Sequence, residues 1–186
     1  MDRTEALALV REYVKNESLV RHMLAVEAAM RFYAEKLGGD VETWGMTGLL
    51  HDFDWEIHPT LEGHPQAGAP ILLERGVPQE IVDGVLSHAD HTGVPRQTPM
   101  QKALYACDEI TGLVTAVALV RPSRSLYDLT ASSVKKNGRI KRLQPGPTGK
   151  KLPGRPQTLA SSSGNTSAMS FKPCAGLRRN WVWKAA

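Results

Sequence analysis

Residues 44–52 read Trp44-Gly-Met-Thr-Gly-Leu-Leu-His51-Asp52, an apolar helical run that ends on two ionisable side chains. Burying an imidazole and a carboxylate at the end of such a run is costly unless another group compensates them. Adjacent helical positions project about 100° apart, so one metal ion sits between His51 and Asp52 only if other helices supply further ligands. The rest of the chain therefore has to provide those ligands.

Further His and Asp residues occur in or beside segments with helical periodicity. These residues are His22, His64, His88 and Asp108. His22 follows Leu19 by three positions and precedes Val26 by four, so it lies on or beside the buried face of its helix. Asp108 stands one turn after Leu104 on another predicted helix. Together with the central pair they form an ordered series: His, His-Asp, His, His, Asp.

The sequence before Arg121 predicts helices joined by loops, with no strand alternation and no hairpin signal. Three residues suit the N-cap positions of the first three helices: Thr4, Ser18 and Asp40. Three later helices are expected to begin at proline-containing sites: His64-Pro65, Pro78 and Thr98-Pro99. We expect an all-α bundle with no internal repeat.

The ordered series resembles that of the HD superfamily of metal-dependent phosphohydrolases, over roughly residues 4–136. The dipeptide His-Asp alone is a weak motif, whereas the whole series in order on helical segments is fairly specific. The resemblance implies an all-α, HD-domain-like helical bundle and a hydrolase that acts on phosphate ester or anhydride bonds. It also implies a set of metal ligands: His22, His51, Asp52, His64, His88 and Asp108.

In the two-metal branch of that family, the resemblance assigns four residues to a first ion: His22, His51, Asp52 and Asp108. His64 and His88 would hold a second ion, with Asp52 as the bridge. Imidazole and carboxylate ligands without thiolate favour Mn, Fe, Co, Ni or Zn over Ca or Mg alone. Metal-activated hydroxide would attack phosphorus, and the predicted catalytic residues are Asp52, His64 and His88. With one ion only, His64 or His88 becomes a candidate for proton transfer or phosphate contact.

Neighbouring residues leave some of these assignments open. The loop length after the His-Asp pair makes His58 a rival to His64. His91 lies one turn from His88 and is a second rival. We expect Asp54 to hydrogen-bond near the metal site or to cap the helix end.

Several basic residues are candidates for contact with a substrate phosphate. They are Arg121, Arg124, Lys135 and Lys136. We assign this role to Arg121 and Lys135, and the alternative for each is a solvated surface side chain. Cys107, beside Asp108, is expected to be a packed small hydrophobe.

Acidic residues are confined to the first 128 positions. That part contains 11 Lys+Arg and all 19 Asp+Glu, which gives a net charge of −8. Residues 129–186 contain 12 Lys+Arg and no Asp or Glu. We predict an HD-type domain over residues 1–136 and an irregular basic tail over residues 137–186. The tail composition fits disorder, an out-of-frame translation, or a natural basic segment that binds an acidic partner.

Composition also restricts the partners and the compartment. The acidity of the first part argues against a specific nucleic-acid partner. Two cysteines are too few for a disulfide framework and the N-terminus has no signal-peptide pattern, so we expect a cytoplasmic protein. No stretch reaches the about 20 apolar residues of a membrane span. The predicted partner is a small phosphorylated substrate, with a nucleotide as first candidate; the alternative is a non-catalytic HD-fold module that binds a nucleotide or a protein.

Overall fold

The computed structural model of the protein describes residues 1–141, and the side chains of residues 1–136. Within this range there are seven α-helices and no β-strand, so the predicted all-α fold is confirmed. The helices are α1 (Arg3–Tyr13), α2 (Glu17–Leu37), α3 (Val41–Leu50), α4 (Gly68–Glu74), α5 (Gln79–Ser87), α6 (Pro99–Leu119) and α7 (Ala131–Lys141). None of the described helices is both long enough and apolar enough to cross a membrane.

Two of the predicted N-caps are wrong by two residues. Helix α1 is capped by Asp2 rather than Thr4, because Asp2 Oδ1 accepts the Glu5 N–H at 2.9 Å and Glu5 accepts the Asp2 N–H at 2.7 Å. This reciprocal capping box satisfies two backbone donors and outcompetes a threonine two residues later. Helix α2 is capped by Asn16, whose Oδ1 accepts the backbone N–H of Ser18, the predicted cap, at 2.9 Å.

The other predicted helix starts agree more closely with the structure. Asp40 caps α3 as predicted, α5 begins directly after Pro78, and α6 begins at Pro99. Helix α4 begins at Gly68, after the predicted start at His64-Pro65, because residues 51–67 form successive turns. This turn segment, residues 51–67, separates α3 from α4.

Helix α3 is buried along most of its length. Every residue from 44 to 50 is buried, as expected of a helix that is apolar on all sides. Two glycines allow its neighbours to approach closely. A Cβ atom on Gly48 would lie 3.1 Å from the backbone of Glu27 on α2, and one on Gly84 of α5 would lie 2.6 Å from Thr47. The C-terminal end of α3, where His51 lies, is therefore held inside the helical bundle.

The described chain forms two compact units. The N-terminal unit, Met1–Gly112, has a core of two apolar clusters, one built from α1 to α5 and the other from α2, α3 and α6. In the C-terminal unit, which begins at Leu113, Arg121 Nη2 donates to Asp128 Oδ2 at 2.6 Å. Helix α7 continues to Lys141, across the predicted boundary between residues 136 and 137. The rest of the predicted tail lies outside the described residues.

Candidate metal centre

All six predicted ligands come together in the N-terminal unit. They form two groups, in each of which the potential ligand atoms lie within 4.8 Å of one another: His22, His51 and Asp108; and Asp52, His64 and His88. We call these six residues the ligand cluster. Helix α2 supplies His22 and α6 supplies Asp108.

The other four members lie where helices end or in the turns that follow. His51 and His88 are the C-cap residues of α3 and α5. Asp52 and His64 belong to the turn segment. The apolar helices thus position the ionisable groups at their ends, where the backbone changes direction and several chain segments converge.

Asp52 belongs to the second group and also faces the histidines of the first. Its Oδ2 is 3.3 Å from His51 Nε2 and 3.7 Å from His22 Nε2. Its Oδ1 is 3.3 Å from His64 Nε2 and 3.5 Å from His88 Nε2. Because each oxygen of one carboxylate faces a different pair of imidazoles, Asp52 is suited to bridge two cations.

His51 carries the clearest unsatisfied atom of the cluster. Its Nε2 is buried and has no hydrogen-bond partner among the described residues. Asp108 Oδ1 lies 3.6 Å from this nitrogen and 2.9 Å from His22 Nε2. Buried polar atoms are almost always paired, so an orphan nitrogen that faces carboxylate oxygens fits a site for a cation.

Hydrogen bonds at Nδ1 fix which ring nitrogen faces the cluster. His51 Nδ1 donates to a carbonyl of α3 at 2.9 Å, and His88 Nδ1 donates to a carbonyl of α5 at 2.6 Å. Because a carbonyl only accepts, both Nδ1 atoms carry a proton and both Nε2 atoms of the neutral rings present a lone pair. His64 Nδ1 donates to Asp54 Oδ1 at 2.7 Å, with the same result. Histidines that bind metals are commonly oriented in this way.

The contact between His64 and His88 also fits a cation at the ligand cluster. Their Nε2 atoms are 3.2 Å apart, although both would be acceptors in the neutral rings. Two facing lone pairs repel unless a proton or a metal ion lies between them. Since imidazole and carboxylate ligands suit divalent transition metals, the residues present fit such an ion. Which metal is bound, and how many ions, stay predictions.

The charges of the cluster are strongly coupled. Burial lowers the pKa of His64, but Asp52 and Asp54 outweigh it and raise the pKa to about 9. Burial also opposes a charge on His51, whose pKa is nevertheless raised well above its ordinary value by Asp52 and Asp108. Burial raises the pKa of these two carboxyls, yet the neighbouring histidines lower it well below the ordinary value. The metal-free fold thus favours a proton on His51 and on His64, and a metal ion would displace these protons.

The rival histidines are not members of the cluster. His91 Nε2 donates to the backbone carbonyl of His64 at 2.6 Å. His91 therefore helps to position a cluster residue without belonging to the cluster. His58 is half-buried in the turn segment.

The predicted phosphate contacts belong to the C-terminal unit, where Arg121 is in an ion pair and Lys135 is exposed. Their role in binding phosphate stays a prediction.

Sequence reasoning missed Trp55. Its ring lies edge-to-face against His64, with centroids 4.9 Å apart and an interplanar angle of 90°, and the residue is 39% exposed. The available signal was a large aromatic residue three positions after Asp52, in a segment without helical periodicity. Cys107 is buried in the core as expected, and burial, with Asp108 beside it, raises its pKa to about 12.

Comparisons with known proteins find similarity over the part of the chain that contains the ligand cluster. The family model described as HD domain matches residues 19–113, a range that contains the whole ligand cluster. Ribonuclease Y of Lawsonia intracellularis (strain PHE/MN1-00) is 28% identical over 97 residues, which are 52% of this chain and 18% of that protein. The chain therefore corresponds to less than a fifth of that relative's length. No solved structure gives a significant match.

Proposed function

Because the chain belongs to the HD domain family, we propose that it is a metal-dependent phosphohydrolase that acts on a small phosphorylated molecule, with a nucleotide as first candidate. The family consists generally of metal-dependent hydrolases. The observation that carries the proposal is the position of Asp52, whose two oxygens face separate groups of imidazole nitrogens. Such a carboxylate is suited to hold two cations beside one phosphoryl group.

The proposal assigns a first ion to four residues: His22, His51, Asp52 and Asp108. When bound, a divalent transition metal supplies Lewis acidity to a phosphoryl oxygen and lowers the pKa of water toward about 7, which provides the nucleophile. His64 and His88 either ligate a second ion or act as proton carriers. In the second case His64 holds a proton at Nε2, 3.3 Å from Asp52 Oδ1, and delivers it to the leaving oxygen.

The charge of the N-terminal unit favours a small substrate. Residues 1–112 contain 18 Asp+Glu and 9 Lys+Arg, a net charge of −9. Nucleic-acid binding depends on basic groups that neutralise backbone phosphates, and this unit has an excess of acids. The name of Ribonuclease Y indicates an enzyme that acts on RNA, so a short RNA is the appropriate comparison substrate.

A phosphate-release screen tests the proposal. Purified protein is treated with a chelator, resupplied with single metals, and assayed on nucleotides, sugar phosphates and a short RNA. We expect activity to return, with Mn, Fe or Co more effective than Mg because the ligands are rich in imidazole. Asp52→Asn should abolish the activity, whereas Asp83→Asn, on the exposed face of α5, should preserve it. Nucleotide binding by calorimetry without phosphate release under any metal would instead support the non-catalytic module.

A further inference from the structure

An open cleft of about 730 Å³ adjoins the ligand cluster. One of its lining residues is His22, a member of the cluster, so a molecule in the cleft would reach the proposed metal site. Leu19, Trp55 and Pro59 give the cleft apolar surface. The cleft is therefore a continuation of the candidate active site, and it presents different chemistry from the cluster.

Trp55 is the largest aromatic surface in this cleft. Tryptophan side chains are highly buried on average, yet Trp55 is 39% exposed and lies beside the ligand cluster. Its edge-to-face contact with His64 holds the ring in place. A rigid aromatic side chain loses little conformational entropy when a second ring stacks on it.

The charge of the residues that line the cleft differs from that of the proposed site for the phosphoryl group. Among the described residues that line it, none is a lysine or an arginine. The acidic member, Glu56, is engaged, since its carboxylate accepts the backbone N–H groups of Lys15 and Asn16 at 3.0 and 2.7 Å. Asn16 and Ser18 add polar groups at the cleft wall. Such a lining suits an uncharged ring with a polar edge, which is the chemistry of a nucleobase.

We propose that Trp55 forms a nucleobase subsite, on which the base of a nucleotide stacks while its phosphoryl group lies at the ligand cluster. The placement of the phosphoryl group rests on the proposed function, whereas the stacking on Trp55 does not require hydrolysis. Stacking on an aromatic side chain tolerates all bases because each has a π face. Trp55 is then a binding residue that selects nucleotides over sugar phosphates.

Calorimetry with paired ligands tests this subsite. The ligands are methylenephosphonate analogues of the four common nucleoside monophosphates and of ribose 5-phosphate, whose C–P bond resists hydrolysis, titrated into manganese-loaded protein. We expect at least one nucleotide analogue to bind about 5- to 100-fold more tightly than the base-free analogue. Trp55→Ala should remove this advantage, so that the nucleotide analogues and the base-free analogue bind with equal affinity. Trp55→Phe should retain part of it.

Leu61→Ala is the matched control, because Leu61 lies in the same turn segment, is 60% exposed and does not line the cleft. Equal affinities for all analogues, or no binding, would overturn the subsite, as would an equal loss for all analogues in Trp55→Ala. Phosphate release from sugar phosphates and nucleotides at equal rates would support the hydrolase and contradict the subsite. Base-dependent binding without any phosphate release would support the subsite and contradict the hydrolase.

Discussion

Asp54 shows how a single residue outside the ligand cluster can control it. The residue is fully buried, and its Oδ1 accepts the Nδ1–H of His64 at 2.7 Å. The carboxylate fixes the orientation of the imidazole and makes Nε2 a better ligand. We predict that Asp54→Asn lowers metal affinity by about 10- to 100-fold, the usual cost of losing such a support. Competition with a chromophoric chelator measures the change.

The control for this variant is Asp83→Asn, an exposed aspartate on α5 that accepts a hydrogen bond from Gln79 at 2.8 Å. It removes the same charge without touching the cluster. Equal metal affinities for Asp54→Asn and the control would show that the contact with His64 has no effect on the metal.

At the scale of elements, the close packing of α2 on α3 depends on Gly48. A Cβ there would lie 3.0 Å from Met30 Cγ and 3.1 Å from the backbone of Glu27. The Met30 side chain can move away from this Cβ, but the Glu27 backbone is part of α2 and cannot move alone. Helices α2 and α3 would therefore have to move apart. We predict that Gly48→Ala destabilises the protein by about 1–3 kcal/mol, the range for overpacked cores. Urea unfolding followed by circular dichroism measures the difference.

Gly112→Ala is the matched control, since that glycine is also helical but a Cβ there meets nothing within 4 Å. The higher helix propensity of alanine should stabilise this variant by up to about 1 kcal/mol. If both substitutions changed the free energy of unfolding by the same amount and sign, close packing at Gly48 would not be the cause.

The sequence predicts the helices better than the segments between them. The apolar run that follows Asp40 locates α3, the proline starts locate α5 and α6, and the ordered His and Asp residues identify the members of the ligand cluster. Residues 51–67 lack any period, so the delayed start of α4 could not be read from them, and the only signal for Trp55 was its spacing from Asp52. The cap at Asp2 was available in the sequence, because Asp2 and Glu5 have the spacing of a capping box.

At the scale of the whole molecule, the coupled charges predict a pH dependence that metal removes. The pKa of His64 rises from about 6.5 in the unfolded chain to about 9 in the metal-free fold. This stabilisation is complete below pH 6.5 and is lost as the pH rises toward 9. The lowered pKa values of Asp52 and Asp108 contribute stability above about pH 4 that is lost on acidification.

We therefore predict that chelated protein loses stability between about pH 6.5 and 9, whereas metal-loaded protein does not, because the metal has replaced the imidazole protons. Urea unfolding of both forms across this range checks the prediction. Parallel pH profiles for the chelated and loaded forms would contradict it.

The unequal distribution of charge gives a further prediction for the whole chain. Residues 1–141 contain 15 Lys+Arg and 19 Asp+Glu, a net charge of −4, against +4 for the full chain. A chain shortened after Lys141 should keep its metal content, because all six cluster residues precede Gly112. It should also lose any salt-sensitive adhesion to anionic resin. Loss of metal after this shortening would contradict the prediction.

The central claim is that the ligand cluster binds metal through Asp52, and elemental analysis of purified protein tests it most directly. We predict one or two transition-metal ions per chain in the natural protein and in Asp83→Ala, and loss of metal in Asp52→Ala, because both groups of histidines lose the carboxylate between them. Circular dichroism should show that the variant keeps its helices. Full metal stoichiometry in folded Asp52→Ala would contradict the claim.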